Sequence, residues 1–269
     1  MKMAAEEHSE NVGAVILHHV SNSEALVPLQ LWGVDLSITK HVIMLWIAGA
    51  VIITAFLIGA RPYRRGTVRV PSGFTNFLEA VVDFVHNQIV VPYVGRQSAR
   101  SWSPYILALF TLIVTANLLG LIPFFDLIPG SGTSTGNVNV TAALAVMTFM
   151  AIIVAGSREH GVIGHWKNLA PPGVPWPVLF ILIPIELLGM FVRPFALTMR
   201  LAANMTAGHI AMLAILAPIF LLANPWIGIG SVALNVGISF LEIIVALVQA
   251  YVFALLSAVF IGAAIHPEH

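Results

Sequence analysis

Residues 178–223 read VLFILIPIELLGMFVRPFALTMRLAANMTAGHIAMLAILAPIFLLA, 46 mostly apolar positions. Wound as one helix at 1.5 Å per residue, they span about 69 Å, against a hydrocarbon core about 30 Å thick. The stretch is therefore either a tight hairpin of two spans or a helix lying far from the membrane normal. Arg200 sits inside it. A guanidinium does not lose its proton in a protein, and holding one at membrane depth costs about 2.5 kcal/mol or more. It has to face water, an anion or another polar group within an assembly. No acidic residue stands four positions away to make it a purely structural pair. Glu186, Arg193 and Arg200 recur at intervals of seven and share a helix face, which Asn204 extends. His209, nine residues past Arg200, falls on nearly the opposite side.

The rest of the chain has the same solvent preference. Of its 269 residues 58% are hydrophobic and 9% charged, where a soluble domain carries about 25% charged residues. Apolar runs of helix length argue for an all-α integral membrane protein rather than an outer-membrane barrel. A net charge of zero gives no footing for a nucleic-acid partner. With no cysteine, disulfides, iron–sulfur ligation and thiol catalysis are excluded. The acidic start, Met1 to Glu10, lacks the basic opening of a signal peptide, so the first span is expected to act as its own insertion signal.

Five membrane elements are predicted, at about 42–60, 105–125, 140–156, 178–223 and 226–265, in a single membrane domain of residues 41–269 preceded by an external tail, 1–40. Between the first two, residues 74–94 place Phe74, Phe77, Leu78, Val81, Phe84, Val85 and Ile89 on one face and Asn76, Glu79, Asp83 and Asn87 on the other, the pattern of an amphipathic surface helix. Asp126, Pro129 and Gly130 suggest an external turn; Ser157 to Pro177 reads as a cytoplasmic loop. Eight of the twelve basic residues (Arg61, Arg64, Arg65, Arg69, Arg96, Arg100, Arg158 and Lys167) fall in the segments assigned inside. By the positive-inside rule this puts the N-terminus outside and the C-terminus in the cytoplasm. A six-span reading fits the bias less well.

The last element has its own polar stripe, Asn235, Glu242 and Gln249, again seven apart. Two such stripes brought together could line a hydrated path or meet a third protein. Because Arg200 and His209 lie on opposite sides of their helix, two polar compartments fit better than one pore. Glu242 is a natural partner for His209, and a carboxylate–imidazole pair passes protons near neutral pH. Blander readings exist for Arg193, which precedes Pro194 and could simply pair with Glu186, and for Asn235 and Gln249 as interhelical glue. The chain has no phosphate-binding glycine loop, no Gly-x-Ser-x-Gly and no His-Glu-x-x-His. Its chemistry is ion movement, with no cofactor and no metal expected; the adjacent His18 and His19 are a weak metal signal. A proton-coupled secondary transporter would bury the same residue types, but the sequence has no internal repeat of the kind that marks many transporters.

Four stretches decide between these. The run Arg200-Leu201-Ala202-Ala203-Asn204-Met205-Thr206-Ala207-Gly208-His209 resembles the signature of the subunit a family of F-type ATP synthases. So do Leu247-Val248-Gln249-Ala250-Tyr251-Val252-Phe253, Glu186-Leu187-Leu188 upstream of Arg193-Pro194, and Asn117-Leu118-Leu119-Gly120-Leu121-Ile122-Pro123. The resemblance runs from about residue 40 to the end.

It implies the stator of a rotary motor in the bacterial plasma (inner) membrane. The expected partners are a ring of c subunits, the b-subunit peripheral stalk, the remaining ATP synthase subunits and membrane lipid. It also implies that the last two helices are long and strongly tilted along the ring. By residue match, Arg200 faces the ring carboxylates, Asn204 and Gln249 are polar positions near it, His209 and Glu242 line the outer half-channel, and Glu186 lies toward the cytoplasmic one. In some members the acid and the histidine stand in the opposite order; here histidine comes first.

Overall fold

The computed structural model describes residues 30–31, 34–35, 37, 39–64, 72–121, 134–167, 176–222 and 225–266. Most of the tail, the Arg65–Arg69 cluster, the turn around Gly130 and the Asn224 loop lie outside the described residues. So do the side chains of Glu186, Arg193 and His209, although their helix is described.

A two-residue antiparallel pairing, β1 (Gln30–Leu31) with β2 (Val34–Asp35), precedes the helices. These are α1 (Lys40–Arg64), α2 (Phe74–Asp83), a π-helical segment (Phe84–Val90), α3 (Val91–Val94), α4 (Arg96–Gly120), a 3₁₀ turn (Ser134–Gly136), α5 (Val138–Lys167), α6 (Trp176–Leu222) and α7 (Pro225–Ile265). Five helices among the described residues are long and apolar enough to cross a membrane. In hydrocarbon every main-chain polar group must be satisfied by the protein, within a helix or between the strands of a closed barrel. Continuous apolar runs of this length, without the alternation of barrel strands, therefore form helices.

The 46-residue stretch resolves into one helix. α6 runs unbroken for 47 residues and α7 for 41. At about 1.5 Å per residue both exceed an upright span, so the hairpin alternative falls and tilt remains. α5 also extends further than the span read from sequence. It continues to Lys167, across Gly161 at φ 74°, ψ 160°. Much of the expected 157–177 loop is thus helix with one glycine break, because only a residue without a Cβ adopts that conformation at little cost.

By contacts the chain divides into two units: Met1–Ala48, Val114–Val140 and Arg200–Val248 form the first, and Gly49–Ile113, Thr141–Met199 and Gln249–His269 the second. The second has an apolar core of Val85, Ile89, Val90 and Val94 with Ile106, Ala151, Ala258 and Ile261. Gly262 lies so close to the Tyr93 carbonyl that a Cβ there would collide with it. The amphipathic 74–94 stretch is helical throughout, but its apolar face divides. Phe74 and Phe77 are exposed, whereas Val85, Ile89 and Val90 are buried in this core. The π-helical turn at the change-over carries Phe84, which packs against the rings of Phe110 and Tyr251, and His86, whose Nδ1 lies 2.6 Å from Ser103 Oγ.

The first unit is fastened by polar contacts. Asn117 Nδ2 donates to the Ala246 carbonyl (3.2 Å), Thr135 Oγ1 donates to Asn117 Oδ1 (2.6 Å), and Thr206 Oγ1 donates to the Gly136 carbonyl (3.2 Å). Ser239 Oγ donates to the Asn235 carbonyl (2.9 Å) and lies 3.6 Å from Met212 Sδ.

Candidate proton-path site

Around Arg200, α6 has two faces. Leu197, Leu201, Ala202 and Met205 are buried, and Thr198 donates to the Thr141 carbonyl at 3.4 Å. Ala196, Arg200, Ala203, Asn204 and Ala207 are exposed. The sequence sets this division. The large apolar side chains sit at 197, 201 and 205, one turn apart, and draw that face inward. The opposite face keeps alanines around one cation and one amide. No hydrogen bond or ion pair reaches Arg200 from the described residues. An exposed arginine in an apolar span (Phe195–Ile219), with no partner among the described residues, needs an anion, water or another polar group.

Eight residues on, α6 meets α7. The Glu242 carboxylate occupies the space that a side chain on Gly208 would fill. At about 100° per residue, eight residues rotate the helix by roughly 80° beyond two full turns. The Arg200 face and the Gly208 contact thus lie on different sides of α6. The His209 side chain is outside the described residues, but its chain neighbour Gly208 is the residue that touches Glu242.

The second stripe is unusual in how little satisfies it. Asn235 Oδ1, Glu242 Oε2 and Gln249 Nε2 are each buried without a hydrogen-bond partner among the described residues. Gln249 is 4% exposed. A buried unpaired polar atom costs about 1–3 kcal/mol, and native proteins leave few of them. Three on one stripe, seven residues apart, mark a polar track along an otherwise apolar helix.

Residues 42–262 match the family model described as ATP synthase A chain. That is most of the chain, and it includes every residue of the site. The chain belongs to the ATP synthase A chain family. It is 41% identical over 266 residues to the ATP synthase subunit a of Anaeromyxobacter sp. (strain Fw109-5), covering 97% of this chain and 63% of that relative. It is 40% identical to the subunit a of Anaeromyxobacter dehalogenans (strain 2CP-C), covering 95% and 71%, and 40% identical to the ATP synthase subunit a 2 of Prosthecochloris aestuarii, covering 98% and 83%. The chain therefore spans just under two thirds of the Anaeromyxobacter sp. protein and more of the other two. Family membership and the five apolar helices make it a multi-pass membrane protein.

Of the residues singled out from sequence, Arg200 and Asn204 fall together on the exposed face of α6, and Glu242 reaches α6 at Gly208. Two residues in the first unit, one in the site and one that braces it, were not assigned a part from sequence. Gly208 stood within a quoted motif, and its smallness beside a histidine was the available signal. Asn117 stood in the 117–123 motif, but its contacts lie 18 and 129 residues away and leave no local trace.

Proposed function

We propose that this chain is the stator proton channel of a rotary ATP synthase in the bacterial inner membrane, with its N-terminus outside and its C-terminus in the cytoplasm. Its partners are the c-subunit ring, the b-subunit peripheral stalk and the remaining ATP synthase subunits. Two offset half-channels carry protons to and from the ring carboxylates. His209, Glu242, Asn204, Gln249 and Glu186 line them, and Arg200 stands between.

The observation that carries this reading is the exposed Arg200 face. Small residues at membrane interfaces let another helix approach closely, and Ala203 and Ala207 flank the guanidinium on that face. A carboxylate brought there by a passing helix meets a fixed cation, which lowers its pKa so that it releases its proton. The same charge repels a proton moving straight from one half-channel to the other. About a quarter-turn round α6, Glu242 at Gly208, with one oxygen unpaired among the described residues, supports a separate watered compartment. One charge crossing 100 mV yields about 2.3 kcal/mol, so several must be gathered for each ATP, and a leak past Arg200 would dissipate them.

The test is Arg200→Ala in the whole complex, reconstituted in liposomes. The expected outcome is normal assembly and ATP hydrolysis by the soluble head, with ATP-driven proton pumping lost. Normal coupled pumping by this variant would overturn the reading.

A further inference from the structure

Asn117 has no part in the proton path described above, yet its side chain has no solvent exposure and both ends of its amide are used. Nδ2 donates to the main-chain carbonyl of Ala246 at 3.2 Å, and Oδ1 accepts from Thr135 Oγ1 at 2.6 Å. Thr135 is itself fully buried. One side chain thus joins α4, the 134–136 turn and α7. Ala246 lies one helical turn beyond Glu242. A helix carbonyl has a second lone pair for an outside donor. A bond to the main chain fixes the rotation and rise of a helix at that point. Apolar contacts do this poorly in a bilayer, where lipid is as apolar as the side chains. An amide does not titrate, and this one is engaged by protein at both ends, so its chemistry is that of a tether rather than a relay.

We propose that Asn117 is a positioning residue: by holding the Ala246 carbonyl it sets α7 so that the Glu242 carboxylate stays seated over Gly208. The importance of that seat rests on the proton-path reading of Glu242; the tether does not.

The chain has no cysteine, so a Met212→Cys/Ser239→Cys pair reports how α6 and α7 meet, three residues before Glu242. The parent atoms there lie 3.6 Å apart. Asn117→Leu, similar in size and without an amide, is made in this background and studied in the complete complex in liposomes. The expected result is normal ATP hydrolysis, loss of cross-linking by a short thiol reagent, a shifted pH profile of ATP-driven pumping, and a pumping rate lower by about tenfold or more, the scale on which small misplacements act. Cross-linking that stays at the parent level in Asn117→Leu overturns the proposal, and lost pumping with intact cross-linking makes Asn117 part of the path itself. If Asn117→Leu does not assemble, Thr135→Val and Thr135→Ser decide. The valine variant is expected to lose cross-linking and pumping in part and the serine variant to keep both, whereas identical behaviour of the two overturns the proposal. Normal pumping by Glu242→Gln, with cross-linking still lost in Asn117→Leu, supports the tether and overturns the role given to Glu242.

Discussion

At Gly262 the missing side chain lets α7 lie against the main chain of Tyr93, whereas at Gly208 it gives the Glu242 carboxylate a place to sit. The first contact belongs to the second unit, where Ile89, Val90, Ile106, Ala258 and Ile261 close an apolar core and His86, Ser103, Tyr105 and Ser257 all have polar partners. The second contact belongs to the first unit, where Ser134 Oγ, Asn235 Oδ1 and Glu242 Oε2 are buried without partners among the described residues. Gln249, whose Nε2 is also unpaired among the described residues, is the first residue of α7 assigned to the second unit. Gln249 apart, packing explains the second unit. The first keeps polar groups that packing alone would discard, which is the signature of a working site in a membrane protein.

The sharpest way to break this contrast is to fill both glycines. Gly208→Val puts a branched side chain where the Glu242 carboxylate sits. The expected outcome is a complex that assembles and hydrolyses ATP but pumps protons about a hundredfold more slowly, on the scale of a misplaced catalytic group. Proton flux into liposomes checks it, and near-normal flux would mean that the seat is unimportant. Gly262→Ala should act on stability instead. The added methyl meets a main-chain carbonyl that cannot swing aside, and overpacking of this kind costs about 1–3 kcal/mol. A lower thermal transition with nearly parental flux per assembled complex is expected. The smallest effect is expected from Thr206→Val, which removes one interhelical bond to the Gly136 carbonyl. Such bonds average about 0.6 kcal/mol in a membrane, so a small drop in thermal stability and no loss of flux should be measured.

The membrane class and the five spans were legible from apolar run length, since only helices and closed barrels satisfy a main chain in lipid and a barrel's strands would alternate in polarity. The polar positions of α7 were legible from the seven-residue spacing of Asn235, Glu242 and Gln249; the side chains of Glu186 and Arg193 lie outside the described residues. Other features were not. The fate of the 74–94 face could not be read, because an apolar side chain is the same whether it meets lipid, as Phe77 is free to do, or protein, as Ile89 does. The Asn117 tether spans 129 residues of sequence to Ala246. The pairing of Glu242 with Gly208 depends on how two tilted helices cross, which periodicity within either helix does not fix.

The central claim is that the Arg200 face of α6 meets another subunit's helices, and single cysteines test it directly. Ala203→Cys and Ala207→Cys lie on the exposed face, and Leu201→Cys and Met205→Cys lie on the buried one. With a cysteine scanned along the ring subunit, oxidation of the intact complex is expected to join positions 203 and 207 to the ring and to leave 201 and 205 free. Cross-links to the ring from 201 and 205 but not from 203 and 207 would contradict it.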